Sequence, residues 1–334
     1  MGFTAQTQPW LKRNQGGKGE AVLLVHGIGN AKPGSYDFLI PKIRAGLGPN
    51  ADKIPIYILY YDFINDWFRE KTQLEKTLGD CEDWIQHRLA GEYGDAFNQV
   101  VAEVLADVIW PVLSLAARDA VQQAFAQQLQ RMVMDGMAAG FPPDFQNISI
   151  LCHSLGCLHT YEMLHRCVND ASLHLHPTDD GVRFANVIYM ASPVQLIRSV
   201  AGGLGPLVPQ GLACLEPGGL ACPVAQTPGG DPRTGVKNWV AIAGALDPVG
   251  GYFFRRRLPW AYMDVPEKLP FGGQKSLIDA QDWLSVQSEA ELRLLLSQAL
   301  AQRKAGEVPL NDPHSWGDYI VRHQNQLEAW ICVG

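Results

Sequence analysis

Three features of the sequence predict an α/β fold with a mostly parallel central sheet and helices on both faces. Strand-like apolar runs alternate with helix-like segments, the pattern of crossover units that build a parallel sheet. The first of these runs, in "EAVLLVHGIGN", is apolar without alternation, as a strand buried on both faces would be. Finally, 334 residues that are 47% apolar and 18% charged can bury a sizeable core.

The elements follow in order. The first strand ends at Val25 and opens into a turn. "YDFLIPKIRAGLG" has helical spacing and stops on glycine, and "KIPIYILYYDF" is a second β-rich run. Residues 65–140 interrupt this pattern with helix formers. Val100, Val101, Val104, Leu105, Val108 and Ile109 form one apolar stripe at helical period, before a helix-ending Pro111. A helical insertion of this size between two strands is either a cap or lid over a site or a set of ordinary core-facing helices. Past it the strand "ISIL" leads into a helix over residues 155–167, and "FANVIYMASP" is the next strand. A loop rich in Gly and Pro separates it from "VKNWVAIAGALDPVG", a strand with an acidic exit. The tail holds an amphipathic helix, the loop "AGEVPLNDPHSW" and a final helix expected to contain His323. With no internal repeat and no clean linker, residues 1–334 read as a single domain with the 65–140 insertion inside it.

A net charge of −7 offers no basic patch for nucleic acid, so no nucleic-acid partner is expected. The first residues lack the apolar core of a secretory signal, and Gln6 spoils a myristoylation motif. No run is long and apolar enough to span a bilayer. Seven cysteines, an odd number in mostly apolar contexts, point to reduced thiols and a cytoplasmic location. Neither C-x-x-C nor H-E-x-x-H occurs, so no metal site is indicated.

Two strand exits carry the chemistry. In "ISILCHSLGCLHTYEML", Ser154 stands in a small-residue turn between a strand and a helix. This is G-x-S-x-G with Gly156 kept and Cys152 in place of the first glycine. A serine becomes a nucleophile only when a base takes its proton and a buried acid orients that base. The other exit, "VHGIGN", has two readings. Gly27 and Gly29 start a dinucleotide fingerprint, with Asp62 as its ribose acid, but Lys32 and Pro33 stand where the third glycine should allow close helix packing. Alternatively it is a His-Gly turn whose backbone N–H groups face a reacting carbonyl.

Taken together, "VHGIGNAKPGSY", "CHSLGC", "ASP", "LDPVG" and "DPHSW" resemble the α/β-hydrolase superfamily, and most of all its bacterial lipase- and esterase-like members. The resemblance runs from about residue 20 to 316 and leaves the helical insertion and the Gly/Pro-rich loop unmatched. It implies an α/β-hydrolase fold with a helical cap, and an enzyme that cleaves carboxylic esters without a cofactor. Ser154 would be the nucleophile. The family order, Ser then acid then His, implies Asp247 as the acid, ahead of Asp231 and Asp264. His87, His159, His165, His174 and His176 fall at the wrong positions for the base, and His323 is expected in a helix. That leaves His314, in the loop. The oxyanion hole would be the N–H groups of Ile28 and Leu155. His26, Gly27 and His153 would shape the substrate site, and Val104 and Leu105 would line it on the side of an apolar acyl group. The partner implied is a small-molecule ester or a lipid, with the insertion a candidate for transient contact with a lipid surface. Thioesterase, amidase or acyltransferase activity would use the same triad, and a non-catalytic binding protein could share the fold. Oligomeric state is not legible.

Overall fold

The computed structural model describes residues 3–11, 20–27, 31–72, 114–141, 145, 147–166, 182–194, 197, 234–242, 316, 320–321 and 323–332. Within them the order of elements is β1 (Ala21–Val25), α1 (Leu39–Gly46), a 3-10 turn (Gly48–Lys53), β2 (Ile56–Leu59), α2 (Asp62–Thr72) and α3 (Leu115–Ala138). Then follow β3 (Ile148–His153), α4 (Leu155–Arg166), β4 (Val182–Met190), β5 (Thr234–Ile242) and α5 (Gln324–Cys332).

The five strands form one sheet in the order β2-β1-β3-β4-β5, every pair parallel. The strands are in step: Leu59, Val25, Cys152, Tyr189 and Ala241 make one row across the sheet. Their C-terminal ends therefore share one edge. β1 and β2 are buried along their whole length, which is why they read as unbroken apolar runs.

Side-chain alternation divides each strand between two cores. Leu23, Val25, Tyr57, Leu59, Ile150 and Cys152 pack with α3 and α4. Val22, Leu24, Ile56, Ile58 and Leu151 pack with α1, α5 and Trp316 on the other face. Right-handed crossovers explain the split. The chain steps one way from β1 to β2 through α1, then the opposite way from β2 to β3 through α3 and on to β4 through α4. Reversing direction moves the connecting helices to the opposite face.

Two parts of the 65–140 segment are described. α3 is a core helix: it buries Val121, Phe125, Leu129 and Met132. It opens on Ser114, whose hydroxyl accepts the Ala117 N–H at 3.3 Å. It closes in a Schellman motif, with bonds from Phe141 N–H to Gly136 O and from Gly140 N–H to Met137 O. α2 is the other part. The stripe over residues 100–109 lies outside the described residues. His323 sits in a turn just before α5 rather than inside the final helix.

The segment ahead of β1 is tied to the far edge of the sheet. Trp10 Nε1 donates to the Tyr57 hydroxyl (2.8 Å), which donates to the Asp135 carboxylate (2.8 Å). The Gln6 side chain accepts the Ile58 N–H at 2.8 Å, so it covers an edge donor of β2. No helix among the described residues is long and apolar enough to cross a membrane.

Candidate functional site at the β1 and β3 exits

In an open parallel sheet, the crevice for a ligand lies outside the C-terminal strand ends where the strand order reverses. Here the reversal falls between β1 and β3, which end at Val25 and His153. His26 and Gly27 follow the first strand and Ser154 the second. Topology alone thus brings the two sequence motifs to one place.

Ser154 has φ 51°, in the left-handed region, and only Ala191 shares that trait among the described non-glycine residues. The conformation costs a serine about 1–2 kcal/mol. Its surroundings hold it there. Ser154 N–H donates to Met190 O at 2.9 Å, and Ser154 O accepts the Cys157 N–H at 2.9 Å as α4 begins. Glycines close in from two sides. A Cβ on Gly27 would lie 2.7 Å from Ser154 Cβ, and one on Gly156 would overlap the carbonyl oxygens of Val25 and His26. The first turn of α4 therefore rests directly on the backbone of the β1 exit. Ser154 and His153 stay half-buried, while Leu155 is buried. As the first residue of α4, Leu155 has an N–H with no acceptor inside the helix, at the positive end of its dipole.

Cys152, which replaces the first motif glycine, fits without strain. It is fully buried in the β3 ladder, with Sγ 3.4 Å from Ile188 O. Burial pushes its thiol well above the ordinary range, so it stays protonated. It is a packing residue.

His26 is held neutral. It is fully buried and stacks on Tyr61, ring centroids 4.2 Å apart, and more loosely on Tyr36 at 5.4 Å. Nε2 accepts the Tyr61 N–H at 3.3 Å, so the proton is assigned to Nδ1, 2.6 Å from Gly27 O. Burial lowers its pKa to about 4, with His153 adding to the shift and the Gly27 bond opposing it. Asp62 lies 3.8 Å from Nδ1, yet with that N–H committed to Gly27 the two do not form an ion pair. The Asp62 carboxylate instead accepts the Ala31 N–H at 2.7 Å. At 2% exposure it is closed to a ribose, which removes the role a dinucleotide reading would give it. Burial raises its pKa to about 7, with the Ala31 bond opposing the shift and Asp66 adding to it.

An aromatic wall stands beside Ser154. The His153 ring stacks on Trp316 at 5.7 Å, and Trp316 meets Tyr36 edge-on at 5.1 Å. Sequence reading singled out neither Tyr36, Tyr61 nor Trp316. The signal available was position, since Tyr61 and Asp62 leave β2 next to the β1 exit.

Of the residues expected at the site, Ser154, Leu155, His26, Gly27 and His153 come together at the two exits. Ile28, Asp247, His314, Val104 and Leu105 lie outside the described residues. No cluster of three or more His, Cys, Asp or Glu side chains suited to a metal ion occurs among the described residues. Comparison of the chain with protein-family models, curated proteins and solved structures finds no match. An all-parallel five-stranded α/β sheet with interleaved helices is therefore as far as the architecture is classified.

Proposed function

We propose that this chain is a serine hydrolase of carboxylic esters, with an α/β-hydrolase fold and a triad of Ser154, His314 and Asp247. The observation that carries the reading is the left-handed Ser154 at a half-buried strand-to-helix turn, with glycine backbone pressed against it. Strain of this kind persists only where neighbours over-determine it, and it lifts a hydroxyl out of a strand end toward the crevice.

Two tethers support the partners. Trp316 stacks on His153, the neighbour of Ser154. His314 is two residues earlier in the chain, so its α-carbon is at most about 7 Å from that of Trp316. The other tether is β5, whose last residue, Ile242, accepts the Ala191 N–H at 2.9 Å. Asp247 follows five residues later, within about 17 Å of chain.

In this mechanism Ser154 Oγ attacks the ester carbonyl carbon as His314 takes its proton. The carbonyl electron pair moves to oxygen, and the N–H groups of Ile28 and Leu155 hold the oxyanion. Asp247 keeps the imidazole in the required tautomer. The intermediate collapses, and the alcohol leaves with the proton from His314. Water, deprotonated by His314, then releases the carboxylic acid and restores Ser154. Val104 and Leu105 line the acyl side in this proposal, and the insertion approaches lipid surfaces. A thioester, an amide or an acceptor alcohol in place of water would follow the same route.

Ser154→Ala tests the reading. Turnover of a p-nitrophenyl ester should fall about 10⁴-fold or more, with the melting temperature unchanged. Hydrolysis at the wild-type rate by this variant would end it.

A further inference from the structure

The exit of β2 is bonded to the exit of β1 at four backbone positions, all through three consecutive residues. The Tyr61 hydroxyl donates to His26 O at 2.6 Å, with Gly27 O at 3.3 Å. Asp62 Oδ2 accepts the Ala31 N–H at 2.7 Å. The Tyr60 hydroxyl accepts the Gly34 N–H at 3.1 Å. Tyr61 also holds the His26 ring from its own backbone N–H, and that ring donates to Gly27 O. The chain is thus fixed at Gly27, where it leaves the sheet against Ser154, and again at Ala31, where it returns.

We propose that Tyr61 and Asp62 are positioning residues, which through these bonds hold Gly27 against Ser154 and fix Ala31, the two ends of the turn expected from the sequence. The inference rests on the serine-hydrolase reading, in which that turn faces the reacting carbonyl. Pinning both ends of a short turn removes most of its conformational freedom before substrate arrives. The chemistry of the pins points to function rather than stability. Burying a carboxylate at 2% exposure destabilises a fold relative to a neutral group of similar shape. What the charge adds is a shorter, stronger bond to one N–H, that of Ala31. Among the described residues, the other groups facing Asp62 are the neutral His26, the Tyr36 and Tyr61 phenols, and Asp66 on α2. None of them is a cation; the N-terminus of α2, which Asp62 opens, favours the charge, and the carboxylate directs it at the Ala31 N–H. Tyr61 likewise keeps its proton, because burial pushes the phenol well above its ordinary range and leaves it a donor.

The test is turnover per reactive serine, so that unfolded protein drops out of the comparison. Wild type, Asp62→Ala, Asp62→Asn and Tyr61→Phe are titrated with a fluorophosphonate, and kcat and KM for a p-nitrophenyl ester are measured per labelled site. A misplaced turn costs on the order of 10²-fold. Asp62→Ala should therefore lose about 10²-fold in kcat with KM within a few-fold of wild type, whereas Asp62→Asn, which can still accept from Ala31, should recover much of the loss. Tyr61→Phe keeps the stack on His26 and deletes only the hydroxyl; about 10-fold in kcat is expected, as part of the same positioning effect. If Asp62→Ala does not fold, Tyr61→Phe decides by its own ratio. Wild-type kcat per labelled site in Asp62→Ala or, where that variant does not fold, in Tyr61→Phe overturns the inference and leaves the hydrolase reading standing. A wild type whose Ser154 does not react overturns both.

Discussion

Ser154 and Ala191 make a natural pair. They end adjacent strands, β3 and β4, and adopt the same left-handed backbone, φ 51° and 53°. Each donates its N–H to the next strand's exit, Ser154 to Met190 O and Ala191 to Ile242 O, both at 2.9 Å. The geometry that closes one strand end onto the next is therefore repeated, and strain by itself does not mark a site. What separates the two is everything around the side chain. Ala191 is buried at 4% exposure and carries a methyl group. Ser154 is half-buried, carries a hydroxyl, opens the 12-residue helix α4, and has Gly27 against it. The lesson is that a left-handed corner becomes a candidate nucleophile only where the neighbouring strand exit leaves room for chemistry.

Filling that room should have the largest effect. Gly27→Ala puts a Cβ 2.7 Å from Ser154 Cβ and 3.2 Å from His153 O. Crowding this tight costs about 1–3 kcal/mol and displaces the serine, so ester turnover should fall about 10²-fold. No change in turnover would mean that the contact with Gly27 is incidental and that Ser154 differs little from Ala191.

Much of this contrast was legible in the sequence. The strands stood out as apolar, β-rich runs between helical segments, unbroken in β1 and β2, and α4 followed from the serine motif. Cys152 in place of a glycine was the weak point of that motif. It proves harmless because the position is ordinary extended strand with space for a thiol beside Ile188 O. The clasp from Tyr61 and Asp62 was not legible. Its bonds join residues 31 to 35 positions apart, and nothing local announces them. The same holds for Gln6, whose backbone N–H is bonded to Gln128 at 2.8 Å across 122 positions. Ala191 opens the short "ASP" motif, which says nothing of backbone conformation, so only the backbone reveals its likeness to Ser154. His323 was misplaced by the usual uncertainty of a helix end.

The support beneath Ser154 can be titrated. His159, on α4, is 1% exposed, meets Tyr61 edge-on at 4.8 Å, and has no hydrogen-bond partner for either ring nitrogen among the described residues. Burial lowers its pKa to about 3, with His26 and Arg118 adding to the shift. Between that value and 6.5 the unfolded chain binds a proton that the folded chain refuses, so stability falls as pH drops through this window. From pH 7 to 5 the loss attributable to His159 is about 2 kcal/mol. His26 acts in the same direction. Asp62 acts in the opposite one, since its raised pKa makes the folded chain the better proton binder between about 3.8 and 7. The test is therefore a difference between variants. His159→Phe should lose about 2 kcal/mol less than wild type between pH 7 and 5 in denaturant unfolding. Equal losses would show that this histidine is not held neutral behind the serine.

The smallest expected effect sharpens the comparison most. Glycine relieves the left-handed strain but adds freedom to the unfolded chain, so Ser154→Gly and Ala191→Gly should each change stability by no more than about 1 kcal/mol. Their melting curves should look alike. Only Ser154→Gly should lose ester hydrolysis, and loss of activity in both would make the shared corner, rather than the hydroxyl, the essential feature.

The most direct measurement on the central claim is covalent labelling of the folded protein by a fluorophosphonate, with the modified peptide identified by mass spectrometry. The account predicts one adduct per chain, on Ser154, absent from Ser154→Ala and suppressed in His314→Ala. An adduct on another residue, or none on folded wild-type protein, would contradict it.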